Sequence, residues 1–111
     1  MKLQLGVMFG GASVEHEISI LSAIQAMEHL DASRYDIIPI YVAKDHQIYQ
    51  SDVLRDLKQF KDLDGLCAKL MPVSLCAKGN RVVICSHSRW LHKEKTLDLI
   101  LPIMHGTYGE D

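Results

Sequence analysis

A chain of 111 residues has room for one domain with a real core and too little for two. Hydrophobic residues make up 48% and charged residues 23%, an ordinary globular composition, and the formal net charge of −2 gives no electrostatic basis for binding nucleic acid or an anionic membrane. No apolar run approaches the roughly 18 residues of a membrane span, so neither a membrane nor a nucleic acid is an expected partner.

Residues 3–9, apolar apart from Gln4, predict a buried first strand, closed by the pair Gly10-Gly11, which allows a tight turn. A single lysine ahead of this run gives a superficial likeness to a signal peptide. The run is short, however, breaks at the glycines and leads directly into charged sequence, as a cytoplasmic protein would. Ser13 is placed to N-cap a helix, and Glu15 then falls in its first turn, where the helix dipole favours a carboxylate. The edge between strand and helix is where open α/β sheets hold their ligands, which makes Glu15 a candidate binding residue. Dipole complementarity alone accounts for its position equally well.

Residues 14–30 predict a helix whose apolar face runs through Val14, Ile18, Leu21, Ile24, Met27 and Leu30. Residues 31–34 break the pattern, and 35–42 predict a second strand in which Pro39 argues for an edge position or a local irregularity. Together these form a βαβ unit, expected to be parallel and right-handed. Residues 44–47 predict a turn and 48–50 a short returning strand. Ser51 is a candidate N-cap for a helix over 52–60, with Val53, Leu57 and Phe60 on one side. Residues 61–69 predict a loop through Asp64-Gly65. Two apolar runs, 70–76 and 81–85, flank Gly79-Asn80 as a β-hairpin would. Residues 86–95 predict a solvated loop with one packed tryptophan, Trp90. Residues 97–104 predict a final central strand covered on both faces.

Cys67, Cys76 and Cys85 recur at intervals of nine, which fits neither a zinc site nor a CxxC pair, and they predict reduced thiols. His87 and His92 are close but have no third ligand nearby, so no metal site is expected. The chain finishes with His105-Gly106-Thr107-Tyr108-Gly109-Glu110-Asp111, a second strand end leading into a glycine-containing loop. If the first and last strands lie side by side and parallel, Glu15 and His105 share one crevice. A hydrogen-bonded loop histidine is the simpler reading of His105 taken alone.

Gly10-Gly11-Ala12-Ser13-Val14-Glu15-His16-Glu17-Ile18-Ser19, followed by the His105–Asp111 segment, resembles the N-terminal domain of the D-alanine–D-alanine ligases. The resemblance spans the whole chain, including the hairpin found in the longer forms of that domain. It implies an α/β, Rossmann-like pre-ATP-grasp domain with a mostly parallel open sheet flanked by helices and an added β-hairpin. It further implies that Glu15 anchors the ammonium of the first D-alanine and that His105 lies beside its carboxylate, with Ser13, Val14 and Gly106 completing the substrate-binding set. The implied reaction is ATP-dependent. The γ-phosphoryl group passes to the first D-alanine, and the second D-alanine's amine displaces phosphate from the acyl phosphate, for peptidoglycan precursor synthesis.

In the family the ATP and magnesium (or manganese) sites lie in central and C-terminal ATP-grasp domains, and no GxxxxGK[ST] or GxGxxG occurs in this sequence. The expectation is therefore a fragment of a larger, homodimeric ligase, inactive alone and binding no cofactor by itself. Relatives that use D-lactate share these motifs, so a D-alanine–D-lactate ligase is an alternative, as is a non-catalytic α/β binding or dimerisation module. A receiver-like signalling domain is disfavoured because Gly-Gly and His-Gly stand where clustered acids and a phosphoacceptor aspartate are required.

Overall fold

Leu5, Val7 and Phe9 of the opening strand are buried in one apolar core, while Gly6 and Met8 between them turn to a second. This period-two division organises the molecule. The computed structural model describes residues 2–11, 16–87 and 92–103. Along the chain these form β1 (Leu3–Gly10), α1 (His16–His29), β2 (Tyr35–Val42), β3 (Ile48–Gln50), two 3₁₀ turns (Asp52–Arg55 and Leu57–Lys61), α2 (Leu63–Lys69), β4 (Pro72–Lys78), β5 (Arg81–His87), β6 (His92–Leu97) and β7 (Leu99–Ile103).

The seven strands make one sheet in the order β6-β5-β4-β3-β2-β1-β7. β1 runs parallel to β2, from Leu3 opposite Tyr35 to Gly10 opposite Val42, and parallel to β7, from Leu5 opposite Leu99 to Phe9 opposite Ile103. The remaining pairs, from β2 through β6, are antiparallel. The α/β class and the added hairpin are as predicted. The sheet is mixed rather than mostly parallel, because the hairpin brings in antiparallel strands joined by short connections.

Both helices contribute to the same core. Ile20, Ala23, Ile24 and Met27 of α1 and Leu66 of α2 pack with Leu5, Val7 and Phe9, and burying one such side chain contributes about 1.5–3 kcal/mol. The other face of β1 and β2 is covered by strands instead of helices: Ile38 and Ile40 pack with Ile84 of β5 and Leu97 of β6. The ends of the strand order are consecutive in the chain, linked by Asp98 alone. The sheet is therefore curled until its two ends meet there. Asp98 fastens the junction by accepting from the Gln4 amide at 2.8 Å, donating its own amide to the Gln4 carbonyl at 2.8 Å, and pairing with Arg81 at 2.7 Å. Gly6 lies beneath this closure. A Cβ there would come within 2.9 Å of Ile40 and 3.0 Å of Leu97, so its missing side chain is what lets the second layer seat.

Several sequence expectations are corrected by packing. The buried face of α1 is His16, Ser19, Ile20, Ala23, Ile24 and Met27, and Ile18 and Leu21 are 54% and 46% exposed. The helix is rotated because two polar residues of the buried face find hydrogen bonds inside the protein. Residues 52–60 form two 3₁₀ turns broken at Asp56, each capped by a side chain (Ser51 and Asp56), with Leu54 buried while Val53 and Leu57 are exposed. The predicted loop over 61–69 contains α2, started by Asp62 accepting from the Gly65 amide. Part of the predicted 86–95 loop is β5 and β6, which pair from Val82 opposite Leu97 to His87 opposite His92; Trp90 is outside the described residues.

Pro39 is buried in an interior strand. The β3 ladder covers only residues 40–42, so the proline stands beyond its last pair, where no donor is needed. β7 is an edge strand rather than a central one, and Leu99 is 46% exposed.

Candidate functional site

Gly10 and Gly11 both take positive φ, 98° and 97°, as the chain leaves β1. At Gly10 a Cβ would stand 2.3 Å from the Val42 carbonyl oxygen, while the Gly11 amide donates to that same oxygen at 2.8 Å. Only glycine combines this backbone conformation with so close an approach to β2. The glycine pair that the sequence marks as a turn thus carries the chain off the carboxyl end of β1 toward α1.

Two buried side chains of α1 hold that turn. His16 is 1% exposed, with Nδ1 2.5 Å from the Gly11 carbonyl and Nε2 2.7 Å from the Tyr41 hydroxyl. A carbonyl can only accept, so Nδ1 carries the hydrogen it donates to Gly11, while Nε2 pairs with the Tyr41 hydroxyl. Tyr41 stays a neutral phenol: burial first, and then the neighbouring Cys67 and Asp45, hold its hydroxyl well above the usual value of 10. Its ring is braced by Phe9 and Phe60, with centroids 5.7 and 5.2 Å away, so the whole relay is fixed from behind.

Ser19, one helical turn later, is fully buried. Its Oγ accepts from the Gly10 amide at 2.8 Å and donates to the Ile103 carbonyl. One hydroxyl therefore ties together the carboxyl ends of β1 and β7 and the first turns of α1. The expectation that the first and last strands lie side by side and parallel is met, and β1 and β7 finish at the same end of the sheet.

The residues proposed from sequence to touch substrate, Ser13, Val14, Glu15, His105 and Gly106, lie outside the described residues. What the structure places is their support: Glu15 immediately precedes His16, and His105 follows Ile103 by two residues. Sequence reasoning treated His16 and Ser19 only as letters of a motif. The signal available was their spacing of three, which puts both on one helix face with Ile20 and Ala23. Among the described residues no three His, Cys, Asp or Glu side chains gather as a metal site requires. Nor is any described helix long and apolar enough to cross a membrane.

The family model described as D-ala D-ala ligase N-terminus matches residues 4–111. The D-alanine–D-alanine ligase of Thermosipho melanesiensis is 39% identical over 98% of this chain, which corresponds to 29% of the relative's length. Among solved structures, the D-alanine–D-alanine ligase of Helicobacter pylori superposes with a TM-score of 0.74 at 31% identity, over 95% of this chain and 30% of that one. The VanG D-Ala:D-Ser ligase of Enterococcus faecalis superposes with a TM-score of 0.75 at 26% identity, over 100% of this chain and 31% of that one. The chain thus spans about a third of the length of the relatives it matches. With β1 and β7 finishing at one end of the sheet and residues 4–111 matched, the chain belongs to the D-alanine–D-alanine ligase N-terminal family.

Proposed function

We propose that this chain supplies one wall of the D-alanine site in an ATP-dependent D-alanine–D-alanine ligase acting in cytoplasmic peptidoglycan precursor synthesis. The observation that supports the reading is the Ser19 hydroxyl bridging Gly10 and Ile103, the common origin from which both signature segments continue in sequence. From that origin Glu15 reaches the ammonium of the first D-alanine, with Ser13 and Val14 beside it. His105 and Gly106 stand at its carboxylate, where the acyl phosphate forms. A charge-assisted hydrogen bond from the ammonium to Glu15 contributes about 1.5–3 kcal/mol to binding.

The described residues offer no cluster fit for magnesium, and no phosphate-binding glycine motif occurs in the sequence. ATP and its metal are assigned to the remainder of the ligase, and no step is routed through them here. The likeness to a D-Ala:D-Ser ligase supports a shared first-substrate wall whose acceptor amino or hydroxy acid is selected elsewhere.

In the full-length enzyme, Glu15→Gln is expected to raise the KM for the first D-alanine at least tenfold more than that for ATP, about 1.4 kcal/mol of selective binding. Equal effects on both constants would remove Glu15 from the ammonium site. The 111-residue chain alone is expected to release no ADP from ATP and D-alanine, and steady release would overturn the division of labour.

A further inference from the structure

Cys76 on β4 and Cys85 on β5 are diagonal neighbours on one face of the hairpin, Cys76 lying opposite Val83 and Cys85 opposite Ser74. Their sulfurs are 3.3 Å apart, with the Cys85 thiol donating to Cys76. A disulfide requires about 2.05 Å, so closing the bond takes side-chain rotation together with movement of the two strands toward each other. Cys85 is buried and Cys76 half-buried, so a reagent from solvent meets Cys76 first. The third cysteine, Cys67, sits on α2, outside the hairpin.

We propose that Cys76 and Cys85 form a thiol–disulfide exchange site, reacting with low-molecular-weight disulfides such as oxidised glutathione to close a reversible staple across the hairpin. The Cys76 thiolate attacks one sulfur of the small disulfide and expels its other half as a thiolate, leaving a mixed disulfide on Cys76. Cys85 then gives up its proton and attacks the Cys76 sulfur, forming the internal bond and expelling the second small thiolate. Two protein thiols are oxidised, one external disulfide is reduced, and the two protons end on the released thiols.

The roles follow from the surroundings. The hydrogen bond to Cys76, followed by burial, pushes the Cys85 thiol up, so Cys85 keeps its proton until the second step. Lys78, two residues along β4, places its ammonium within electrostatic reach of both sulfurs and is itself held by Glu94 at 2.6 Å. At Cys85 the Glu94 carboxylate raises the thiol and the Lys78 ammonium opposes it, so the exchange rests on the closeness of the two sulfurs. The staple would join strands that cover the second core, through Leu75, Val82 and Ile84.

The test incubates the reduced, folded chain with oxidised glutathione near pH 8, traps free thiols by alkylation and maps them by mass spectrometry. Cys76 and Cys85 are expected to escape alkylation together, joined in one peptide pair lighter by two hydrogens, while Cys67 is alkylated. Cys85→Ser is expected to stop at a glutathione adduct on Cys76, and Cys76→Ser to leave Cys85 without adduct. A phenylarsenic(III) oxide probe, which bridges two neighbouring thiols, is expected to couple to the wild type and to neither variant. Persistent alkylation of both cysteines, a bond to Cys67, or arsenical capture by either single variant would overturn the proposal.

Discussion

His16 is a polar residue on the buried face of a helix, and its ring has a partner at each nitrogen. His16→Ala would strand the Gly11 carbonyl and the Tyr41 hydroxyl in the interior, at a cost of about 1–3 kcal/mol for each group left unpaired. Ser19→Ala likewise orphans the buried Gly10 amide and is expected to cost about 1–3 kcal/mol, measured by denaturant unfolding. If the Gly10-Gly11 turn positions Glu15, His16→Ala in the full enzyme also raises the KM for D-alanine more than that for ATP. Tyr41→Phe, which keeps the ring packed against Phe9 and Phe60, has the smaller effect on both measures. At this scale the sequence was legible in its motif letters and illegible in their division of labour. Gly10, His16 and Ser19 look like any other members of the signature, and only their burial and hydrogen bonds in the fold show that they hold the backbone.

Two glycines illustrate how element geometry grades the same substitution. In the β4–β5 hairpin Gly79 has φ 62° and nothing within 4 Å of a Cβ, while its neighbour Asn80 keeps a negative φ, the pattern of a two-residue II′ turn. Gly79→Ala is therefore expected to cost only the backbone strain, about 1–2 kcal/mol. Gly10→Ala adds a 2.3 Å clash with the Val42 carbonyl to similar strain, and its loss of stability is expected to exceed that of Gly79→Ala by at least about 1 kcal/mol. Parallel thermal unfolding of the two variants makes the comparison; equal losses would contradict the close approach.

Elements with a strong period were readable from sequence alone: β2 and β3 start and stop where predicted, and the hairpin turns at Gly79-Asn80. The segment from 52 to 69 was not. Its order rests on local caps by Ser51, Asp56 and Asp62, and on the single buried anchors Leu54 and Leu66, rather than on a sustained apolar stripe. The exposed positions of Ile18 and Leu21 escaped prediction for a related reason, since hydrophobicity does not reveal that a histidine and a serine will be satisfied internally.

Across the whole molecule, stability is coupled to pH through the aromatic centre of the first core. Burial raises Tyr41 and Tyr49 above the ordinary phenol value, so their neutral forms are favoured in the folded chain. The corresponding stabilisation is fully present below about pH 10, where the unfolded phenols are also neutral, and is lost as pH rises toward the folded values. Unfolding free energy is thus expected to decline as the pH rises above about 10, with a shallower decline in Tyr41→Phe, as followed by urea titration at each pH. An unchanged slope in that variant would assign the alkaline loss to other groups.

The closure at Asp98 also imposes an order on synthesis. β1 emerges first, yet the strand that covers its second edge arrives with the Gln4–Asp98 contact, 94 residues later. Until then Leu5, Val7 and Phe9 have β2 on one side and an unpaired row of amides and carbonyls on the other. A ribosome adding about 5–20 residues each second leaves that edge bare for several seconds. The nascent chain is therefore most exposed to wrong pairing, and most in need of a chaperone, along the same strand whose glycine pair later pins the turn against β2.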